Sequence, residues 1–156
     1  MTSIDRAEQH GDPQMVPQPI DGEPGLVQVD AAWGSIQPML VAAGVRTIGE
    51  IEVIDHIDQG LPLIDSRTDD LYQTSTIPHA DNIPHTEAVE RIGELDQERP
   101  AVFFCNGPQC GQSPHAIRAL IDAGHQPEMI LYYRGGLHDW VTLGLPTVAG
   151  DEEKAR

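Results

Sequence analysis

The sequence has few cysteines and no long apolar segment. Only two cysteines, Cys105 and Cys110, occur among its 156 residues, so the disulfide framework typical of small secreted domains is excluded. No apolar run approaches the ~20 residues that cross a bilayer, and the first residues do not combine a basic segment with an apolar one. These features predict a cytoplasmic protein whose two cysteines are free thiols.

Basic residues are also scarce. Nine Lys and Arg stand against 25 Asp and Glu, which gives a formal net charge of -16. A negative charge of this size repels the phosphates of nucleic acids and the anionic headgroups of membranes, so neither is predicted as a partner. The sequence contains no GxGxxG motif and no P-loop, and it therefore predicts no organic cofactor.

The length suits one domain with a hydrophobic core. Residues 1–25 are rich in Pro, Gln, Asp, Glu and Gly and contain few apolar residues, so they are predicted to form a mobile acidic and Pro-rich tail. Residues 26–150 are predicted to form a single domain, and residues 151–156 a charged C-terminal tail.

Short apolar segments alternate with helical patterns through this domain. Isoleucines at positions 51, 54 and 57 recur every three residues and predict a helix over 49–59. Further helices are predicted at 86–96 and 137–143, with one helical turn at 69–73. Strands are predicted at 61–65, 82–83, 101–104 and 129–133. The alternation predicts an α/β fold with a mainly parallel sheet and helices on both faces.

The strongest candidate site follows the strand at 101–104. Cys105 ends this strand, and a loop rich in Gly and Pro leads to Ser113, which can cap a helix that begins at Pro114 and ends at Gly124. Ligands bind beyond the carboxyl ends of parallel strands, where loop amides and a helix N-terminus stabilise an anion. The sequence thus predicts a lowered pKa for Cys105, with an inert packing cysteine as the alternative.

Three segments, in the right order, resemble the rhodanese-like family of sulfurtransferase domains. LPLIDSRTDDLYQTSTIPHADNIPH resembles the family's strand, Asp-x-Arg and Ile-Pro-Gly-Ala-x-Asn-Ile-Pro signature. AVFFCNGPQC followed by SPHAIRALIDAGH resembles its strand, cysteine loop and helix, and LYYRGGLHDWVTLGLPTV resembles its closing segment. The resemblance covers residues 47–148 and implies a rhodanese-like α/β fold.

The resemblance also implies a chemistry. Cys105 would accept a sulfane sulfur from a small donor, thiosulfate or a persulfide, hold it as a persulfide, and pass it to a thiol or another nucleophile, including one on a protein. Asp65 and Arg67 match the Asp-x-Arg of the family and are predicted to be a structural pair near the site. The substrate-binding loop is predicted to comprise Asn106, Gly107, Pro108, Gln109, Cys110, Gly111, Gln112 and Ser113.

The loop departs from the family pattern in two ways. Seven residues separate Cys105 from Ser113 where about five are usual, and none of them is cationic, which favours a persulfide donor over thiosulfate. Cys110 is a candidate resolving thiol that could attack a Cys105 persulfide, or else a packing residue.

Alternative functions depend on the same loop. A phosphatase or arsenate reductase of related fold needs an Arg at the far end of the cysteine loop to bind an oxyanion. This Arg is missing here, which argues against both enzymes. A thiol redox protein using Cys105 and Cys110, and a catalytically silent binding module, remain open. No metal is predicted, because paired spacings such as Cys-x2-Cys are absent.

Overall fold

The structure is a computed structural model that describes residues 18–19, 21–24, 27–28 and 35–154. Strands β1 (Gln18–Pro19) and β2 (Val27–Gln28) pair antiparallel in a small separate sheet. Most of the predicted 1–25 tail lies outside the described residues, although β1 falls within it. The domain boundaries predicted from the sequence therefore stay predictions.

A five-stranded sheet forms the centre of the domain. Every neighbouring pair in it is parallel, and the spatial order is β3-β7-β6-β4-β5, which confirms the predicted parallel sheet. Strand β6 lies in the middle, so the loop that follows it emerges at the centre of the sheet's carboxyl edge. The strands are β3 (Arg46–Thr47), β4 (Leu63–Asp65), β5 (Asp81–Asn82), β6 (Ala101–Phe104) and β7 (Ile130–Tyr132).

Helices cover both faces of this sheet, as predicted. Alternate strand residues point to opposite faces, so Phe103 packs in one apolar cluster with Ile117 of α3, whereas Phe104 packs in the other with Val53 of α1 and Trp140 of α4. No helix among the described residues is long and apolar enough to cross a membrane. The helices are α1 (Glu50–Asp58), α2 (Asp69–Thr74), α3 (Gln112–Asp122), α4 (Gly136–Thr142) and α5 (Gly150–Lys154).

Helix α1 forms where the sequence predicts it, but the isoleucine spacing does not mark its buried face. Ile51 is 76% exposed and Ile54 is 37% exposed, while Val53 and His56 are buried. Each step of three residues falls about 60° short of a full helical turn. After two such steps, Ile51 and Ile57 lie about 120° apart around the helix. Only Ile57 of the three packs against the core, as a partly buried residue.

The helix predicted over 86–96 is wrong. This segment forms a series of turns with one short 3-10 helix at Ile92–Glu94. Most of its backbone hydrogen bonds join residues three apart, as in the bond from the Leu95 N–H to the Ile92 carbonyl at 3.1 Å. Gly93 weakens an α-helix at this point, and the segment is held instead by the burial of Ala88 and Leu95.

Helix α3 begins earlier than the sequence predicts. Its N-cap is Gly111 rather than Ser113, and the helix starts at Gln112, with Ser113 and Pro114 buried in its first turn. The predicted end is confirmed, since Gly124 follows the C-cap Ala123 with a φ of +101°, a conformation that favours glycine. Because Gly111 has no side chain that could cap the helix, the first backbone N–H groups of α3 need another hydrogen-bond acceptor.

Candidate functional site

The sulfur of Cys105 accepts a hydrogen bond from the N-terminus of helix α3. The backbone N–H of Ser113, in the first turn of α3, donates to Cys105 Sγ at 3.3 Å. The sulfur thus takes the place that a capping side chain usually fills, at the positive end of the helix dipole. Strand β6 and helix α3 together hold Cys105 at the position predicted from the sequence.

The second cysteine is folded back over the first. A tight turn, closed by a 3.0 Å hydrogen bond from the Cys110 N–H to the Gly107 carbonyl, reverses the loop. The Cys105 thiol donates to the Cys110 carbonyl at 3.4 Å, and the Cys110 thiol donates to Gln112 Oε1 at 3.6 Å. Both cysteines are free thiols with only 1% of their surface exposed.

The two thiols differ in acidity. Burial is the main cause that raises the pKa of Cys105 well above its usual value, although the Ser113 amide and hydroxyl oppose this effect. The pKa of Cys110 is lowered to about 7, first by its hydrogen bond with the Cys105 thiol, then by backbone amides of Gln112 and Asn106, and by the Arg67 charge. Burial thus opposes the lowered pKa predicted for Cys105, while the hydrogen-bond donors around Cys110 favour the thiolate of that residue.

Asp65 and Arg67 form the structural pair that the sequence predicts. Both side chains are buried, and the guanidinium Nη2 lies 2.7 Å from Asp65 Oδ2 while Nε donates to Oδ1 at 3.0 Å. Thr76 also donates to this carboxylate at 2.8 Å. Arg67 Nη1 donates to Asn106 Oδ1 at 3.2 Å, which ties the pair directly to the residue after Cys105.

The closing Gly-Gly segment supports the loop from behind. The N–H of Leu137 donates to the Cys105 carbonyl at 3.0 Å, and that of His138 donates to the Asn106 carbonyl at 2.7 Å. Gly136 has a φ of +61°, and a Cβ at this position would lie 2.5 Å from the Cys105 carbonyl oxygen. Only glycine allows α4 to approach the cysteine loop this closely.

Sequence reasoning missed a segment that crosses the loop. The N–H of Gln37 donates to the Pro108 carbonyl at 2.8 Å, and Arg134 Nε donates to the Gln37 carbonyl at 3.0 Å. Arg134 follows β7 at the carboxyl edge of the sheet, and this position was a usable signal. Gln37 carries no such signal, because its role depends on a backbone contact with a residue 71 positions further along the chain.

The structure also shows a buried hydroxyl and a pair of histidines near the site. The Tyr132 hydroxyl is buried and finds no hydrogen-bond partner among the described residues. Burial and then the charges of Cys105 and Cys110 raise its pKa, so it lies within electrostatic range of both sulfurs. His85 and His115 lie with their Nδ1 atoms 2.8 Å apart. No group of three or more His, Cys, Asp or Glu side chains suited to a metal ion occurs within the described part of the chain.

The fold and the site define an α/β domain with a cysteine loop between its central strand and a helix. The chain belongs to the rhodanese-like domain family, whose model matches residues 51–143. A thiosulfate sulfurtransferase from Pseudomonas aeruginosa has a similar structure, with a TM-score of 0.59 and 27% identity over 68% of this chain and 20% of that one. A rhodanese-related protein from Thermoplasma volcanium, 23% identical, has a similar fold with a TM-score of 0.57 over 67% of this chain and 98% of that one.

One relative in sequence is named as a transcriptional regulator and not as a sulfurtransferase. The HTH-type transcriptional regulator Rv0324 from Mycobacterium tuberculosis is 36% identical over 131 residues. The match covers 80% of this chain but 57% of the regulator, so the chain spans little more than half of that relative. The likeness therefore covers most of this chain and leaves a large part of the regulator unmatched.

Proposed function

We propose that the protein is a sulfurtransferase or persulfide carrier that takes up a sulfane sulfur on Cys105 and passes it to a thiol or another nucleophile. The observation that carries this proposal is the Ser113 amide, which donates to Cys105 Sγ from the first turn of α3. A persulfide anion on Cys105 would meet the same positive helix end. The family membership and the thiosulfate sulfurtransferase neighbour support the same chemistry.

A neutral or singly charged persulfide suits this site better than thiosulfate does. Residues 106–112 contain no Lys or Arg to clamp a dianion, and the chain carries a formal net charge of -16. The nearest buried cation, Arg67, has its donors directed at Asp65, Asn106 and the Ser75 carbonyl. We propose a small or protein-borne persulfide as donor, a thiol as acceptor, no nucleic-acid or membrane partner, and a reducing compartment such as the cytoplasm.

Intact-mass spectrometry tests the proposal. Reduced protein is incubated with glutathione persulfide or with thiosulfate, and the variants Cys105→Ser and Cys110→Ser are compared. We expect Cys110→Ser to gain about 32 Da, one sulfur atom, and Cys105→Ser to gain nothing. Loading is expected to be faster with the persulfide than with thiosulfate. Sulfur uptake by Cys105→Ser, or no reaction of the wild type with either donor, would contradict the proposal.

The name of the M. tuberculosis relative favours a second candidate, a binding module that serves a regulator and turns over no substrate. Such a module keeps the fold without the sulfur chemistry. In that case neither donor changes the mass of the wild-type protein, although an alkylating agent still modifies its thiols in the unfolded chain. Sulfur uptake that depends on Cys105 would exclude this candidate.

A further inference from the structure

We propose that Cys110 is the internal acceptor of the sulfur site: it attacks the Cys105 persulfide, releases sulfide and leaves a Cys105–Cys110 disulfide. This inference rests on the proposed function, because it needs a persulfide on Cys105. It turns the protein from a carrier that waits for a second substrate into one that reduces a sulfane sulfur to sulfide with its own two thiols.

The step balances without an added oxidant. The Cys110 thiolate attacks the inner sulfur of Cys105–S–SH, the S–S bond of the persulfide breaks, and HS⁻ leaves with the electron pair. A new S–S bond joins the two cysteines, so the cysteine sulfurs are oxidised and the sulfane sulfur is reduced. Two molecules of a thiol such as glutathione then reduce the disulfide, forming oxidised thiol and restoring both cysteines.

The geometry brings the two reactants together. The turn closed by the Cys110 N–H and the Gly107 carbonyl carries Cys110 back onto Cys105, whose thiol contacts the Cys110 carbonyl at 3.4 Å. Both side chains are buried in the same loop. An external acceptor must reach a buried sulfur after the donor has left, whereas the Cys110 thiol already lies in the same loop, and such proximity favours an intramolecular reaction.

The surroundings of Cys110 are those of a nucleophile rather than of a packing residue. Backbone amides of Gln112 and Asn106 and the Cys105 thiol all stabilise a negative charge on its sulfur, and the Arg67 guanidinium adds its field. Together they lower the pKa of Cys110 to about 7, a direction that favours the thiolate.

A single-turnover experiment separates this step from sulfur uptake. Reduced wild-type protein, freed of reductant, is mixed with one equivalent of glutathione persulfide, and intact mass and trapped sulfide are measured together. We expect the wild type to lose about 2 Da and to release close to one sulfide per chain. Cys110→Ser should gain about 32 Da and release no sulfide above the level of Cys105→Ser. Peptide mapping of the wild type should then show the Cys105–Cys110 link.

The outcomes distinguish the two proposals. A wild-type protein that holds a stable gain of about 32 Da without sulfide would overturn the internal acceptor and leave the proposed function standing. A wild-type protein that neither gains nor loses mass would overturn the proposed function itself. If the wild type releases sulfide but Cys110→Ser takes up no sulfur although it is folded by circular dichroism, Cys110 is the first acceptor and the proposed order of the two cysteines is wrong. Because the wild-type mass and sulfide are measured directly, the test does not depend on the variant.

Discussion

Arg67 shows at the scale of one residue how a charged side chain can be part of the core. It is among the largest fully buried side chains, and its guanidinium is held by Asp65 and the Ser75 carbonyl on one side and by Asn106 on the other. A buried charge of this kind is tolerated only because its donors are satisfied. The same contacts connect the strand end of β4 to the cysteine loop.

Removal of Arg67 should therefore be far more damaging than removal of an exposed arginine. We expect Arg67→Ala to lower the free energy of unfolding by about 3–5 kcal/mol, because Asp65 is left as an unpaired buried charge. The matched control is Arg99→Ala. The Arg99 side chain is 51% exposed and lies 2.8 Å from Asp96, and an exposed ion pair of this kind should contribute about 1 kcal/mol or less to stability. Urea unfolding of both variants measures the difference, and equal losses would contradict the structural role of Arg67.

At the scale of the element, helix α1 shows that its existence and its orientation have different causes. Glu50 and Glu52 in its first turn suit the positive helix N-terminus, and these signals are local. The face it buries is decided by how the helix lies on the sheet, where Val53 packs in the cluster that also contains Leu63 and Val102. Ile51 lies about 200° around the helix from Val53 and therefore faces the solvent.

Two alanine substitutions on α1 test this orientation. Val53→Ala should lower the free energy of unfolding by about 2 kcal/mol, since two buried methyl groups are lost and a cavity remains. Ile51→Ala should change it by no more than about 0.5 kcal/mol, because the side chain is 76% exposed. Thermal and urea unfolding measure both values. A larger loss for Ile51→Ala than for Val53→Ala would show that the helix presents its isoleucine face to the sheet.

At the scale of the whole molecule, several histidines make stability depend on pH. Burial lowers the pKa of His56, His85 and His125 below the ordinary value. The folded state therefore binds fewer protons than the unfolded chain below a pH of about 6.5, so the stability that these residues contribute at neutral pH is lost as the pH falls through their folded-state pKa values. His125 is the clearest case, because neither ring nitrogen finds a partner among the described residues.

The variant His125→Leu isolates this contribution. We expect it to be more stable than the wild type by about 1 kcal/mol at pH 7.5, because an unsatisfied buried polar ring is replaced by an apolar side chain. The advantage should grow as the pH falls to 5.5, where the unfolded wild-type chain gains a proton at His125 and the variant does not. Urea unfolding at both pH values measures it, and an advantage that shrinks on acidification would contradict a lowered pKa for this histidine.

Local sequence patterns were sufficient for most of the strands and helices that surround the site. The apolar runs that became β4, β6 and β7, the helical stretches that became α1, α3 and α4, and the glycine that ends α3 all act through near neighbours in the chain. The position of Cys105 at the end of the central strand also follows from a local pattern, whereas the pairing of Asp65 with Arg67 was implied by the resemblance to the rhodanese-like family. Alternation of strands and helices then leaves a parallel sheet as the arrangement that buries both faces.

Other features were decided only by the tertiary structure. The directions in which the pKa values of Cys105 and Cys110 shift depend on burial, on nearby hydrogen-bond donors and on the charge of Arg67, and the contact of Gln37 with Pro108 joins separate parts of the chain. The segment 86–96 has a helical pattern but packs as turns, because core contacts outweigh a local preference that Gly93 weakens. The sequence by itself determined that a cysteine follows the central strand, whereas the packing around the two thiols decided how strongly each is buried and which donors it meets, since desolvation and hydrogen bonding act through space.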